Sequence, residues 1–191
     1  TPSTMLPLGT KAPPFKLLDV VSSRQMVLED FSNKKLLMIM FICRHCPYVK
    51  HVQEELARLG QDYHSKNVAI VAISSNDAQN HPEDSPEGLR AMADELKFIY
   101  PLCYDETQEV AKAYHAACTP EFYLFDQERK LIYRGQLDDS RPKNGLPVTG
   151  KDLRRALDTA LNDQVVSPDQ KPGIGCNIKW KKGNEPTYYS H

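Results

Sequence analysis

Apolar and polar positions along this chain recur with periods that predict its elements one after another. Residues 36–42, Leu-Leu-Met-Ile-Met-Phe-Ile, form a continuous apolar run. A run this short and unalternated predicts a central strand buried on both faces. Beyond it Val49, Val52, Leu56, Leu59 and Tyr63 recur at spacings of 3 and 4, the mark of an amphipathic helix. Residues 68–73 predict a second buried strand. Leu89, Met92, Ala93 and Leu96 predict another helix, opened by Ser85-Pro86-Glu87-Gly88. Residues 101–104 then predict a short strand, and residues 106–116 a helix with Val110, Ala113 and Tyr114 turned inward. Two apolar stretches, 121–125 and 130–134, bracket the polar cluster Asp126-Gln127-Glu128-Arg129 and predict a hairpin. The last regular element is a helix over 151–161, whose Leu153, Ala156, Leu157, Ala160 and Leu161 share one face.

Ahead of the first buried strand, residues 8–15 predict an extended arm. Residues 15–20 and 25–28 then predict a short hairpin around Ser22-Ser23. From about Asn162 the pattern fades. Pro168, Pro172 and Pro186 with Gly173, Gly175 and Gly183 predict a tail without long elements. The chain therefore divides into a domain over 1–161, N-terminal extension included, and an irregular C-terminal tail over 162–191. A hairpin, three β-α pairs, an antiparallel hairpin and a helix, in that order, predict an α/β domain. Its mixed central sheet carries helices on both faces.

Composition narrows the function classes. The chain has 191 residues, enough for one domain with a substantial core, and its 40% hydrophobic content is that of an ordinary folded protein. Its 24 basic and 25 acidic residues nearly cancel, which gives no global argument for nucleic acid. No apolar run approaches the roughly 20 residues that span a bilayer. With no charged-then-apolar leader pattern at the start either, a cytoplasmic location is expected.

Five cysteines are too few, and odd in number, for a disulfide scaffold. Two stand at Cys43-Arg44-His45-Cys46, where a buried strand passes into an amphipathic helix. Three residues are almost one helical turn, which predicts both sulfurs on one side of the helix start. There the free N–H groups and positive dipole end favour an anion. Cys43 is expected to be the easier thiol to ionise, helped by Arg44 and by His45 when protonated. Cys43 is thus the expected nucleophile of a thiol–disulfide exchange and Cys46, taken to lie one turn deeper, the resolving thiol. The alternatives are two cysteines packed as small hydrophobes, half of a zinc site, or a non-catalytic interaction module with the 75–85 loop and the tail as its surfaces. Cys43, Cys46, His45, His51 and His115 are all ligand types, but a second Cys-x-x-Cys or His pair is missing, so no metal is expected. His64, His81 and His191 read as surface or loop histidines.

Cys43-Arg44-His45-Cys46-Pro47 after a strand, with Thr119-Pro120 ahead of Glu121-Phe122-Tyr123-Leu124-Phe125, resembles the thioredoxin fold. More narrowly, the chain is similar to the thioredoxin-like branch of the alkyl hydroperoxide reductase and thiol-specific antioxidant superfamily. Gly9-Thr10-Lys11-Ala12-Pro13-Pro14-Phe15 matches the N-terminal extension of that branch. Its hairpin is matched from Phe125-Asp126 through Tyr133-Arg134-Gly135, and the likeness runs over about residues 8–161. It implies that Pro120 is cis, abuts the cysteine pair and presents the Thr119 backbone to a substrate chain. It also implies a protein or small-molecule disulfide as substrate, a recycling thiol partner and no organic cofactor. Neither a nucleic acid nor a membrane is an expected partner.

Arg44-His45 stands where ordinary thioredoxins carry Gly-Pro, and a histidine beside the last cysteine resembles the more oxidising members. A potential above that of thioredoxin is therefore expected. The superfamily also contains peroxidases, which share a Pro-x-x-x-Thr/Ser-x-x-Cys signature. Aligned on Cys46, that signature meets Ile39 at the proline and Cys43 at the Thr/Ser position, and fails at both, while Arg134 is the candidate for the activating arginine. Cys118 beside Thr119-Pro120 is a possible additional redox thiol or a buried small side chain. Cys103 reads as core. Cys176 reads as part of a flexible tail that could form a mixed disulfide, reach back to the domain, or do neither. Asp138-Asp139 and Lys179-Trp180-Lys181-Lys182 read as solvated charge runs, with Trp180 either docking the tail or meeting a partner.

Overall fold

Strand β3 (Leu36–Phe41) runs through the middle of the sheet with every side chain buried, as an unalternated apolar run demands. The computed structural model describes residues 1–189; His191 lies outside the described residues. Before β3 come β1 (Lys16–Asp19) and β2 (Gln25–Val27), the expected hairpin. After it follow α1 (Pro47–Tyr63), β4 (Val68–Ser74), α2 (Pro86–Leu96), β5 (Leu102–Tyr104) and α3 (Glu109–Ala113). The chain continues through β6 (Cys118–Thr119), β7 (Glu121–Phe125), β8 (Leu131–Gly135), α4 (Lys151–Leu161) and β9 (Cys176–Asn177).

Seven strands make one mixed sheet in the order β2-β1-β5-β4-β3-β7-β8. β3, β4 and β5 are parallel, whereas β7 pairs antiparallel with β3 and with β8, and β1 antiparallel with β5. Side chains of β3 alternate between two cores. Leu36, Met38 and Met40 pack with the apolar faces of α1, α2 and α4. Leu37, Ile39 and Phe41 pack with the N-terminal arm, α3 and Ile178 of the tail. Helices thus cover both faces, and no helix among the described residues is long and apolar enough to cross a membrane.

The expected helix over 106–116 shrinks to α3. Gln108 takes a left-handed backbone before it (φ 66°) and His115 another after it (φ 52°). Buried Asp105 accepts hydrogen bonds from the Ala111 and Val110 amides at 2.9 and 3.3 Å, which fixes where the short helix begins. Val110 and Tyr114 face inward as expected, but Ala111, not Ala113, is the buried alanine. The tail lacks long elements, yet it is fastened along its length. The Lys179 amide donates to Asn76 Oδ1 at 2.8 Å, Gln108 Nε2 donates to the Lys179 carbonyl at 3.0 Å, and the Tyr188 hydroxyl donates to the Ala116 carbonyl at 2.8 Å. Trp180 packs on the second core with Tyr188 edge-on at 6.4 Å, so among the expected roles it docks the tail.

Two further readings change with burial. Asp138 is not a solvated charge: it is buried and accepts from the Ser140, Thr149 and Gly150 amides at 2.9, 2.8 and 2.7 Å, shaping the loop before α4. Much of the 75–85 loop is likewise internal, with Ser75, Asn76, Asp77 and Asp84 all buried.

Candidate functional site

The cysteine pair lies at the C-terminal end of β3, on a bend that precedes α1. Cys46 is the N-cap of α1 in an extended conformation (φ −72°, ψ 126°), with Pro47 opening the helix. Cys43, Arg44 and His45 are therefore not in a helical turn, and Cys46 is not one turn inside the helix as its spacing suggested. The bend instead brings the two side chains close enough that each shifts the other's ionisation. Both are buried, Cys43 to 1% exposure and Cys46 to 0%.

The Thr119–Pro120 bond is cis, and this strand borders both sulfurs. Thr119 Oγ1 stands 3.4 Å from Cys43 Sγ, and a protonated Cys46 donates to the Thr119 carbonyl at 3.5 Å. The outer side of that strand is already paired. β9 lies antiparallel to β6 with Cys176 opposite Thr119, so the tail of this same chain occupies the backbone that a substrate chain was expected to meet.

The two sulfurs differ in their surroundings. Cys46, once deprotonated, is held below the ordinary thiol range chiefly by the hydrogen bond from Cys43. Further hydrogen bonds from the Cys176 and Thr119 side chains and the Val49 amide outweigh its burial. Cys43 is pushed up by its bond to Cys46, by burial and by the Asp84 carboxylate. These surroundings favour a thiolate on Cys46 and a proton on Cys43, the opposite direction to the one expected from the sequence.

Asp84 adds to the first two causes. It sits at 0% exposure at the end of a short 3-10 turn (Pro82–Asp84) before α2. Its carboxylate accepts from the Arg44 amide at 2.6 Å and from Asn76 Nδ2 at 3.0 Å, and it pairs with the His45 ring. His45 in turn stacks on His81, with ring centroids 5.1 Å apart. The Arg44 guanidinium points away from the sulfurs to Glu95 at 3.2 Å, so it does not supply the positive charge assigned to it. Neither Asp84 nor Asn76 carried a signal in the sequence, where they are two polar residues in a polar loop.

Candidate ligand residues also sort themselves. Cys43, His45 and Asp84 each offer a donor atom, all within 4.8 Å of one another, and could embrace one cation. His51 instead bonds Ser140 at 2.7 Å, and His115 is exposed and stacked on Tyr188. Cys118 is fully buried, its thiol directed to Glu121 Oε2 at 3.8 Å, with burial first and Glu121 second raising it far from ionisation. Cys103 is buried in the second core. The thiol that joins the pair is Cys176, which is partly exposed, opposite Thr119 and packed against the core that holds Cys43 and Cys46. Arg134 donates to the Leu6 carbonyl and to Gln170 at 2.8 and 2.9 Å, holding the arm and tail rather than a thiolate.

A mixed sheet with helices on both faces, a Cys-x-x-Cys at the end of its central strand and a cis-proline beside it define a thioredoxin-fold protein. The thioredoxin domain of a thiol-disulfide oxidoreductase from Bacteroides vulgatus superposes with a TM-score of 0.63 at 19% identity, over 82% of this chain and 99% of that one. Residues 8–134 match the AhpC/TSA family, and the chain belongs to that family. Its membership supports a thiol-based redox function. Two solved structures are similar over nearly the whole chain. An uncharacterized conserved protein from Geobacillus kaustophilus is 58% identical, with a TM-score of 0.93 over 95% of this chain and 96% of that one. A hypothetical protein from Sinorhizobium meliloti 1021 is 45% identical, with a TM-score of 0.94 over 96% and 100%. No curated protein matches the chain.

Proposed function

We propose that this protein is a thiol–disulfide oxidoreductase in which Cys43 and Cys46 cycle between dithiol and disulfide. The observation that carries the reading is the pair of buried cysteines that both contact Thr119, beside cis-Pro120. Cys43 attacks a protein or small-molecule disulfide and one substrate sulfur leaves as a thiolate that takes a proton from water. The Cys43 proton passes to the neighbouring Cys46 or to the His45–Asp84 pair beside it, and returns from there to the second substrate sulfur. Cys46 then attacks Cys43, closes the disulfide and releases the second substrate thiol. A thiol partner reduces the pair again, in keeping with a reducing, cytoplasmic setting.

The reading is tested by a redox titration in glutathione buffers with thiol trapping and peptide mapping. A reversible Cys43–Cys46 disulfide is expected, with a potential above about −270 mV, the thioredoxin value. Cys43→Ser should abolish exchange, and Cys46→Ser should accumulate mixed disulfides on Cys43. Full activity in both variants would sink the assignment. Peroxide reduction is the second reading, favoured by the AhpC/TSA match. It takes over if the reduced protein consumes peroxide but leaves disulfide substrates untouched.

A further inference from the structure

Cys176 is placed with more care than an irregular tail would need. The Ile178 amide donates to the Ala117 carbonyl at 3.0 Å on one side of it. On the other side the Ser3 amide donates to the Gly173 carbonyl at 2.8 Å. Gly175 lies so close to the cis-proline strand that a Cβ there would stand 1.9 Å from the Thr119 carbonyl oxygen. Only glycine permits this approach. The strand register then sets Cys176 opposite Thr119, the residue whose side chain and carbonyl touch Cys43 and Cys46. Cys176 packs against the core that holds the pair, near enough for Cys46 to shift its ionisation. Of these three sulfurs only that of Cys176 belongs to a partly exposed residue. Cys176 is therefore the sulfur of the three that an external thiol reaches most readily.

We propose that Cys176 is a third redox thiol that takes over the disulfide from the buried pair, forming Cys46–Cys176. The proposal rests on the exchange reading of Cys43 and Cys46. In the oxidised pair, the Cys176 thiolate attacks Cys46 Sγ. The S43–S46 bond breaks, the S46–S176 bond forms, and Cys43 leaves as a thiolate that takes up the proton Cys176 gave up. No net oxidation occurs in this step; the disulfide only moves outward. An external thiol then attacks the sulfur of Cys176 and Cys46 departs as a thiolate. A second external thiol resolves the mixed disulfide, so two thiols are oxidised for each disulfide reduced. Cys46 suits the role of leaving group because its thiolate is the stabilised one of the pair.

The full chain is equilibrated in glutathione buffers of rising oxidation, trapped with an alkylating agent and mapped by mass spectrometry, as wild type, Cys43→Ser and Cys176→Ser. The expected result is a Cys46–Cys176 disulfide in Cys43→Ser and, beside Cys43–Cys46, in the wild type. The oxidised wild type should also be reduced by glutathione at least about tenfold faster than oxidised Cys176→Ser. A Cys43–Cys46 disulfide in the wild type with Cys176 free both there and in oxidised Cys43→Ser, or equal reduction rates, overturns the proposal and leaves the exchange reading standing. Absence of any linkage among the three overturns both. The Cys43→Ser arm keeps Cys176 in place, so the outcome does not depend on how well Cys176→Ser folds.

Discussion

Two sulfurs three residues apart stand in opposite surroundings, and the difference shows what organises this site. On the Cys43 side the neighbours come from the loop between β4 and α2: buried Asp84, tied to the Arg44 amide, to Asn76 and to the His45 ring. That side opposes a thiolate. On the Cys46 side the neighbours are the amide end of α1, the cis-proline strand and the docked tail, a set dominated by donors that favours a thiolate. Identical side chains thus differ through their mutual interaction together with the elements that pack against each.

The contrast breaks most strongly if the buried carboxylate is removed. Asp84→Asn takes away the negative charge that faces Cys43, so Cys43 alkylation near neutral pH should accelerate while Cys46 changes little. Three hydrogen-bonded neighbours lose a charged acceptor, and a stability loss of about 1–3 kcal/mol should follow in a denaturant melt. Unchanged Cys43 reactivity would show that Asp84 is structural only.

On the other side, Gly175→Ala should lift β9 from the Thr119 strand. Forced contacts of this kind cost about 1–3 kcal/mol, and about 1.4 kcal/mol placed on β9 alone makes its opening roughly tenfold easier. Cys46 and Cys176 should then alkylate faster by a similar factor, measured by peptide mapping, with Cys103 unaffected. Equal rates in variant and wild type would mean that the tail does not shield the pair.

A pH series sharpens the same comparison. Cys46 is held below the ordinary thiol pKa of about 8.5 and Cys43 well above it. Absorbance at 240 nm should therefore show one thiolate already present at neutral pH and no second from the pair until strongly alkaline pH. Cys46→Ser should remove that absorbance. Because the folded value is lowered, its contribution to the stability of the reduced protein is complete above the ordinary thiol pKa. It is lost as pH falls through the lowered value. Thermal melts of the reduced protein across this range check the sign.

The smallest effect is expected from Arg44→Ala. Its guanidinium forms an exposed ion pair with Glu95 and faces neither sulfur, so stability should shift by about 0–1 kcal/mol. The thiolate absorbance curve should not move. A clear shift of that curve would restore the sequence-based view that Arg44 tunes the pair.

Much of the scaffold was legible because its signals are local. The apolar run at 36–42, the 3-and-4 spacing behind it and the face of Lys151–Leu161 each declare an element from neighbouring residues alone. The helix expected over 106–116 was overestimated because its limits are set by Asp105 and two left-handed residues, and period counting does not see either. Trp180 among lysines looked ambiguous because its partner, Tyr188, becomes a neighbour only once the tail is docked. Arg44 and His45 were credited with charge by adjacency, yet one side chain points away and the other is occupied by Asp84.

By itself, then, the sequence determined the α/β order of elements, the strand-to-helix position of Cys43 and Cys46, and the cysteine chemistry open to them. The tertiary structure alone decided which groups surround each sulfur and which third cysteine is brought to the same strand. Periodicity acts over one or two turns, whereas the groups that set a buried thiol's charge arrive from far along the chain. Asp84 meets the Arg44 amide across 40 residues and Thr119 meets Cys43 across 76. In a dry interior a single such neighbour outweighs anything adjacent in sequence that water can screen.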